Sequence, residues 1–273
     1  HLSASANFLN KWTLAVNLIG HTRQLDTHIL RGGPDMLMPG GFMTFNSLQT
    51  DNSKRLMFSL NGNYQTMGEN YATSWEVSPG FSLRPVNSLK IGITADFAGN
   101  HDQLQYVSTL AYGSDYRYIL GTIDQKTMGF TFRVDYSVTP ELSVQFYGSP
   151  FVSRGRYADF KRITDPKNET FTSRYSEFDS PGLSGGVYGL DETGDGISDY
   201  SLYNPDFNFH QFRSNLVAKW EFRPGSFLYL VWSSDRTNPG GDPASTLGKS
   251  FGQLWNAFPN NIFLIKFSYW FST

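Results

Sequence analysis

Alternation of apolar and polar residues, in the absence of any long apolar run, is the feature that most restricts what this chain can fold into. The segment Ile262-Phe263-Leu264-Ile265-Lys266-Phe267-Ser268-Tyr269-Trp270-Phe271 places Phe263, Ile265, Phe267, Tyr269 and Phe271 at odd positions, with Lys266 and Ser268 between them. Successive side chains of a strand point to opposite faces, so this pattern builds a wall with one apolar side and one wet side. No run of 18 apolar residues is present, which excludes a membrane helix. Aromatic residues make up 16% of the chain and charged residues only 17%. A soluble domain carries about 25% charged residues. The mean hydropathy is nevertheless negative, as expected when lipid-facing and water-facing residues alternate and dilute one another.

The pattern recurs along most of the 273 residues. It predicts strands at 3–8 and 12–19, a loop over 24–41 marked by Gly-Gly-Pro and Pro-Gly-Gly, and a hairpin of 42–48 with 55–65. The next hairpin sets Trp75, Val77, Phe81 and Leu83 against Glu76, Ser78, Ser82 and Arg84, and returns with Leu89, Ile91, Ile93, Ala95 and Phe97. A one-residue slip would carry polar groups into the apolar medium at roughly 2 to 4 kcal/mol for a basic side chain at midplane, so register is strongly specified. Further strands are expected at 103–112, 116–123, 128–138, 142–151, 209–222, 227–233 and 261–271. The connection Thr139-Pro140-Glu141 reads as a tight turn on the periplasmic side. Between about 153 and 208 charges, glycines and prolines interrupt the pattern, which predicts a long extracellular loop.

The fold class expected is all-β, a transmembrane antiparallel β-barrel of about 12 to 16 strands spanning residues 1–273. About 12 or 13 strands can be counted, whereas single-chain bacterial barrels normally use an even number. Either one is missed or strands come from elsewhere, in which case the barrel is incomplete in this chain. The abrupt start at His1-Leu2-Ser3-Ala4 suggests a processed chain or an excised fragment. A soluble β-sandwich is the rival, because its strands also alternate and periodicity does not say which face looks inward. Strands of about 10 residues, tilted near 45°, span roughly the 25 Å apolar band of an outer membrane, which together with the low charge and abundant aromatics favours the barrel.

The chemistry is fainter. Lys90, Asp96, Arg133, Asp135, Lys219, Glu221 and Lys266 fall on the polar phase of their strands and are the candidate lumen-lining groups. They would either set up a selective field in a channel or neutralise one another in pairs. Asp191, Thr193, Asp195, Ile197 and Asp199 resemble a short calcium loop, with Gly196 at the turn and the Ile197 carbonyl as a ligand. Leu202 stands where a full EF-hand needs glutamate, and an ordinary acidic surface loop has the same composition. The five histidines form no metal-binding motif. His210 with Ser214 or Ser226 offers the raw material of a hydrolase without a marked third member. With no cysteine and a net charge of −2, disulfides are excluded and nucleic acid is not an expected partner.

The segment Leu30-Arg31-Gly32-Gly33-Pro34 followed by Pro39-Gly40, the aromatic meander, and Phe263-Leu264-Ile265-Lys266-Phe267-Ser268-Tyr269 resemble the C-terminal barrel domain of a large family of outer-membrane proteins of Bacteroidota and related bacteria. In that family the barrel usually follows a domain resembling a carbohydrate-binding module. The resemblance implies location in the cell outer membrane, contact with membrane lipid and lipopolysaccharide, and another chain or an N-terminal segment completing the barrel, with no catalytic residues to carry over. The expected function is passage of small polar solutes or scaffolding of an envelope complex. The alternatives are a phospholipase-like hydrolase of the outer membrane and a glycan-binding or adhesion barrel.

Overall fold

A computed structural model describes residues 1–179 and 181–271. It contains the strands β1 (Leu2–Asn7), β2 (Thr13–His21), β3 (Gln24–Asp26), β4 (Met36–Met38), β5 (Gly41–Gln49), β6 (Leu56–Met67), β7 (Ala72–Val86), β8 (Leu89–Tyr112), β9 (Asp115–Ser137) and β10 (Leu142–Ile163). These are followed by β11 (Tyr175–Glu177), β12 (Leu183–Ser184), β13 (Val187–Leu190), β14 (Tyr200–Tyr203), β15 (Phe207–Arg223), β16 (Ser226–Asn238), the short helix α1 (Leu247–Gln253) and β17 (Asn260–Ser268). The protein is all-β and is dominated by one antiparallel sheet in the order β1-β2-β5-β6-β7-β8-β9-β10-β15-β16-β17, with β11 paired to the far end of β10. Among the described residues the sheet is open, since β1 pairs only with β2 and β17 only with β16.

Paired residues of an antiparallel ladder share a face, so the register assigns every side chain. Leu60, Pro79, Ile93 and Phe132 belong to one face together with Phe146, Leu216, Leu230 and Ile265. The opposite face carries Asn61, Ser78, Thr94, Thr131, Gln145, Asn215 and Ser233. No register shift exchanges the faces within the central stretch of the sheet. Over most of its extent the apolar face is not covered by a second layer: Phe81 is 54% exposed, Trp75 42%, Trp220 48% and Ile265 73%. Only at the long-excursion end does the 239–259 segment pack on it, Phe251 against Phe130 and Trp255 against Phe212. A sandwich buries this face, so the large sheet is not half of one.

The two ends of the sheet differ. The connections β1–β2, β5–β6, β7–β8, β9–β10 and β15–β16 all lie at one end and are two to six residues long. The other end carries the excursions 22–40, 164–206 and 239–259, together with projecting lengths of β8, β9 and β10. Leu30, Met36, Met38, Tyr71, Leu104, Leu120 and Phe171 form one core there, and Ile119, Phe160, Phe178, Leu190 and Leu202 form another. The protein's buried apolar clusters therefore sit in a cap at one end of the sheet, beyond the apolar band.

Several expected boundaries change. Residues 89–97 and 103–112 are one strand of 24 residues, and 116–123 and 128–137 lie in one strand of 23 that stops one residue short of the expected end. The polar residues 98–102 and 124–127 suggested breaks, but neighbouring strands continue the ladder across them with small register shifts near 102–108. β10 likewise does not stop at Phe151 and runs to Ile163, so the excursion begins at 164 rather than 153 and contains short strands of its own. The final strand ends at Ser268, leaving Tyr269–Phe271 outside it. The 24–41 stretch contains the two-stranded ladder β3–β4 instead of loop alone.

Candidate functional site

The wet face of the sheet is the candidate site. All seven charges expected there lie on it in register. Lys90 lies directly opposite Asp135, Arg133 opposite Gly92, and Asp96 follows Thr94 on the same phase of β8. Lys219 and Lys266 both flank Tyr229 on β16. Glu221, opposite Phe227, sits at the short-turn rim, where its Oε1 accepts the Gly225 amide at 2.8 Å. Arg133 lies 5.2 Å over the Tyr147 ring, Lys219 4.5 Å over Phe227 and Lys266 5.6 Å from Tyr229. Among the described residues none of the seven is in an ion pair within 4.0 Å. Lys90, Arg133 and Asp135 border a cleft of about 170 Å³ with Ser59, Ser82, Thr94 and Thr131. A second polar cleft collects Asn17, Asn61, Asn63 and Glu76, where Asn63 Nδ2 donates to Glu76 at 3.0 Å. The arrangement is a broad hydrogen-bonding surface with unneutralised charges of both signs.

One pair on this face escaped the sequence reading. Arg213 Nε donates to Asp235 Oδ2 at 2.9 Å across β15 and β16. Both residues lie on the polar phase of their strands, so the alternation contained the signal.

The acidic turn folds differently from an open ligand cage. Asp191 accepts the Gly194 and Gly196 amides at 2.6 and 2.7 Å and the Thr193 hydroxyl at 3.3 Å. Asp195 Oδ1 accepts the Ile197 amide at 2.8 Å, while Asp199 Oδ2 accepts the amides of Glu192 and Thr193. These bonds, the Gly196 amide's first, hold the Asp191 carboxyl below the ordinary aspartate range. The Ile197 side chain is 70% exposed. The carboxylates thus stabilise the turn itself, and among the described residues no three His, Asp or Glu side chains converge as a metal-binding group.

Glu192, which the calcium pattern passed over, anchors this turn to the cap. Arg117 Nε donates to it at 2.8 and 3.1 Å, the Tyr200 hydroxyl at 2.9 Å, and Arg162 Nη1 lies 3.5 Å away. Burial pushes the Glu192 carboxyl up, but the Arg117 and Tyr200 bonds and the two guanidinium charges outweigh it and hold it below the usual glutamate range. Burial, then the bond to Glu192, pushes the Tyr200 phenol up. Nearby, Lys161 is 1% exposed, and its Nζ lies 3.6 Å from Glu177 and 3.4 Å from the Thr122 hydroxyl. Desolvation lowers its basicity. Only the fold brings residues 117, 162, 192 and 200 together, and nothing in their sequence spacing announces it.

The serine and histidine pairing does not assemble. His210 is fully buried on the apolar face, and neither ring nitrogen has a hydrogen-bond partner among the described residues. Ser214 is four residues along the same face, beyond Phe212, with Gly148 and Ser234 as cross-strand neighbours. Ser226 is at the opposite end of the sheet, accepting the Trp270 amide at 3.0 Å.

The chain matches the family model described as domain of unknown function (DUF5916) over residues 1–272. No curated protein matches the chain.

Proposed function

Because the chain belongs to the DUF5916 family, a domain of unknown function, we infer its role from its own geometry and propose that it forms the wall of an outer-membrane β-barrel for the passage of small polar solutes. The observation that carries this reading is the largely uncovered apolar face of a sheet whose other face is mainly polar across β6 to β10, with Val217, Val231 and Leu264 as an apolar row nearer the β17 edge. Large exposed apolar surfaces mark contact with a partner or a membrane. Here the surface forms a band about nine residues long on successive strands, from Leu89 to Phe97 on β8 and from Tyr136 to Met128 on β9. Tilted strands of that length match the apolar thickness of an outer membrane. Short turns at one end and long excursions at the other are likewise the asymmetry of such barrels.

β1 and β17 are the first and last of eleven alternating strands and so run in the same direction. Antiparallel closure therefore needs an odd number of further strands, supplied by another chain or another segment. Unpaired edges invite such addition, and β17 carries Phe263, Ile265 and Phe267 at 75%, 73% and 64% exposure. The unneutralised wet-face charges favour a solvated conduit over a lumen filled by ion pairs. An envelope scaffold is the second role compatible with the same wall.

Planar-bilayer conductance of the full-length protein tests the proposal. Passage predicts steady conductance, and Lys90→Gln with Arg133→Gln shifts its selectivity toward cations because two positive groups leave the lumen. Silence from protein shown to be inserted would replace the passage reading with the scaffold.

A further inference from the structure

At the long-excursion end the apolar face changes character within two residues. Phe97, Met128 and Val152 form its last apolar row across β8, β9 and β10. The next row on the same face is Gly99, Lys126 and Arg154, and the one after it is His101, Asp124 and Arg156. Two residues of strand separate each row from the next, about 7 Å.

These rows hold an unbalanced charge. Asp124 Oδ1 lies 2.8 Å from His101 Nδ1. Lys126 and Arg156 are exposed, and among the described residues neither they nor Arg154 has a carboxylate within 4.0 Å. Arg154 is held in place by the 239–259 excursion: its Nη1 donates to the carbonyls of Ser245 at 2.6 Å and Pro243 at 3.3 Å, while its Nε has no partner. Lys126, Arg154 and Arg156 line a cleft of about 550 Å³ with Asp124, Tyr157 and Ala158. Beside it, α1 lays Phe251 against Phe130 at 5.4 Å between ring centroids, which adds an apolar shoulder on the same face.

We propose that this cleft seats the phosphate of an outer-leaflet glycolipid, with Lys126, Arg154 and Arg156 as its ligands and the acyl chains lying over the partly exposed Phe97 and Met128, while Val152 beside them is already covered by protein. The proposal rests on the membrane-wall reading, which puts the long-excursion end at the outer surface. Guanidinium and ammonium groups make charge-assisted bonds to phosphate. A free phosphate would have no use for the adjoining apolar rows, whereas a phosphorylated lipid engages both surfaces at once.

The test uses the full chain in detergent micelles, with native mass spectrometry after addition of bisphosphorylated lipid A or the same lipid with its phosphates removed. The wild type is expected to retain the phosphorylated form selectively, without competition from millimolar inorganic phosphate. Lys126→Gln and Arg156→Gln, both exposed and unpaired, are each expected to weaken retention roughly tenfold. Lys54→Gln, at the short-turn end, is expected to leave it unchanged, and circular dichroism checks the strand content of every variant. Equal retention of both lipids, retention unaffected by the double variant, or inorganic phosphate competing as well as lipid would each overturn the proposal. Insertion into phosphatidylethanolamine vesicles, read by protease protection, separates the two levels. Protein that inserts but does not discriminate the lipids loses only this site, whereas protein that fails to insert loses the wall reading as well.

Discussion

The cap and the band treat the same kinds of side chain in opposite ways. In the cap, Leu104, Leu120, Ile119 and Phe160 are 0 to 2% exposed, enclosed by the excursions and the projecting strands. In the band, Ile93, Phe132, Phe81 and Trp220 are 36 to 54% exposed on an uncovered face. Burying a large apolar side chain contributes about 1.5 to 3 kcal/mol. The cap obtains that contribution from protein alone, whereas on the membrane-wall reading proposed above the band obtains it from lipid outside the sheet. Stability of the cap should therefore follow internal packing, and stability of the band should follow the medium.

The largest expected effect breaks the cap. Phe160→Ala removes a ring packed against Tyr188 at 4.8 Å and should cost about 3 to 5 kcal/mol locally. Hydrogen exchange should show faster opening of 157–203 while the central strands stay protected. If the whole sheet loosens equally, cap and band are one cooperative unit and the contrast fails.

Next in size is a charge in the band. Phe132→Arg should destabilise protein folded in lipid vesicles by roughly 2 to 4 kcal/mol, while Thr131→Arg, one residue away on the wet face, should change it little. Denaturant titrations of the two variants in the same vesicles compare the faces directly, and equal costs would mean that lipid does not cover the apolar face.

Glu192→Gln probes what fastens the acidic turn to the cap. Its carboxyl is held below the usual glutamate range in the folded protein, so the unfolded chain takes up its proton first as pH falls. The stabilisation is complete above the unfolded glutamate value and is lost as pH drops through the folded one. Proteolysis of 181–206 should accelerate in acid, and the glutamine variant should be weaker at neutral pH by about 1 to 3 kcal/mol and less acid-dependent. The smallest effect belongs to the wet-face pair, where Arg213→Gln should cost no more than about 1 kcal/mol because Arg213 and Asp235 are both solvated.

Much of the large sheet could be read directly from residue order. The alternation at Leu89–Phe97 and Phe130–Tyr136 assigned both faces, and all seven charged candidates fall on the polar face in register. The cap was far less legible. Its strands carry polar residues at both phases, as in Asn100-His101-Asp102 and Asp124-Gln125-Lys126, so the two-residue signal fades just where β8 and β9 continue. The Glu192 cluster joins residues separated by 75 positions from Arg117, and no local pattern encodes a contact at that distance.

The sequence by itself determined that this chain makes two-faced antiparallel strands and which side chains share a face, because side-chain direction follows from a period of two. Only the tertiary structure decided that most of the apolar face has no second layer, that the long excursions gather at one end, and that the acidic turn bonds to its own amides and to Arg117. Those outcomes depend on which distant segments meet, and that is settled by packing and hydrogen-bond satisfaction across the whole sheet rather than by neighbours in the chain.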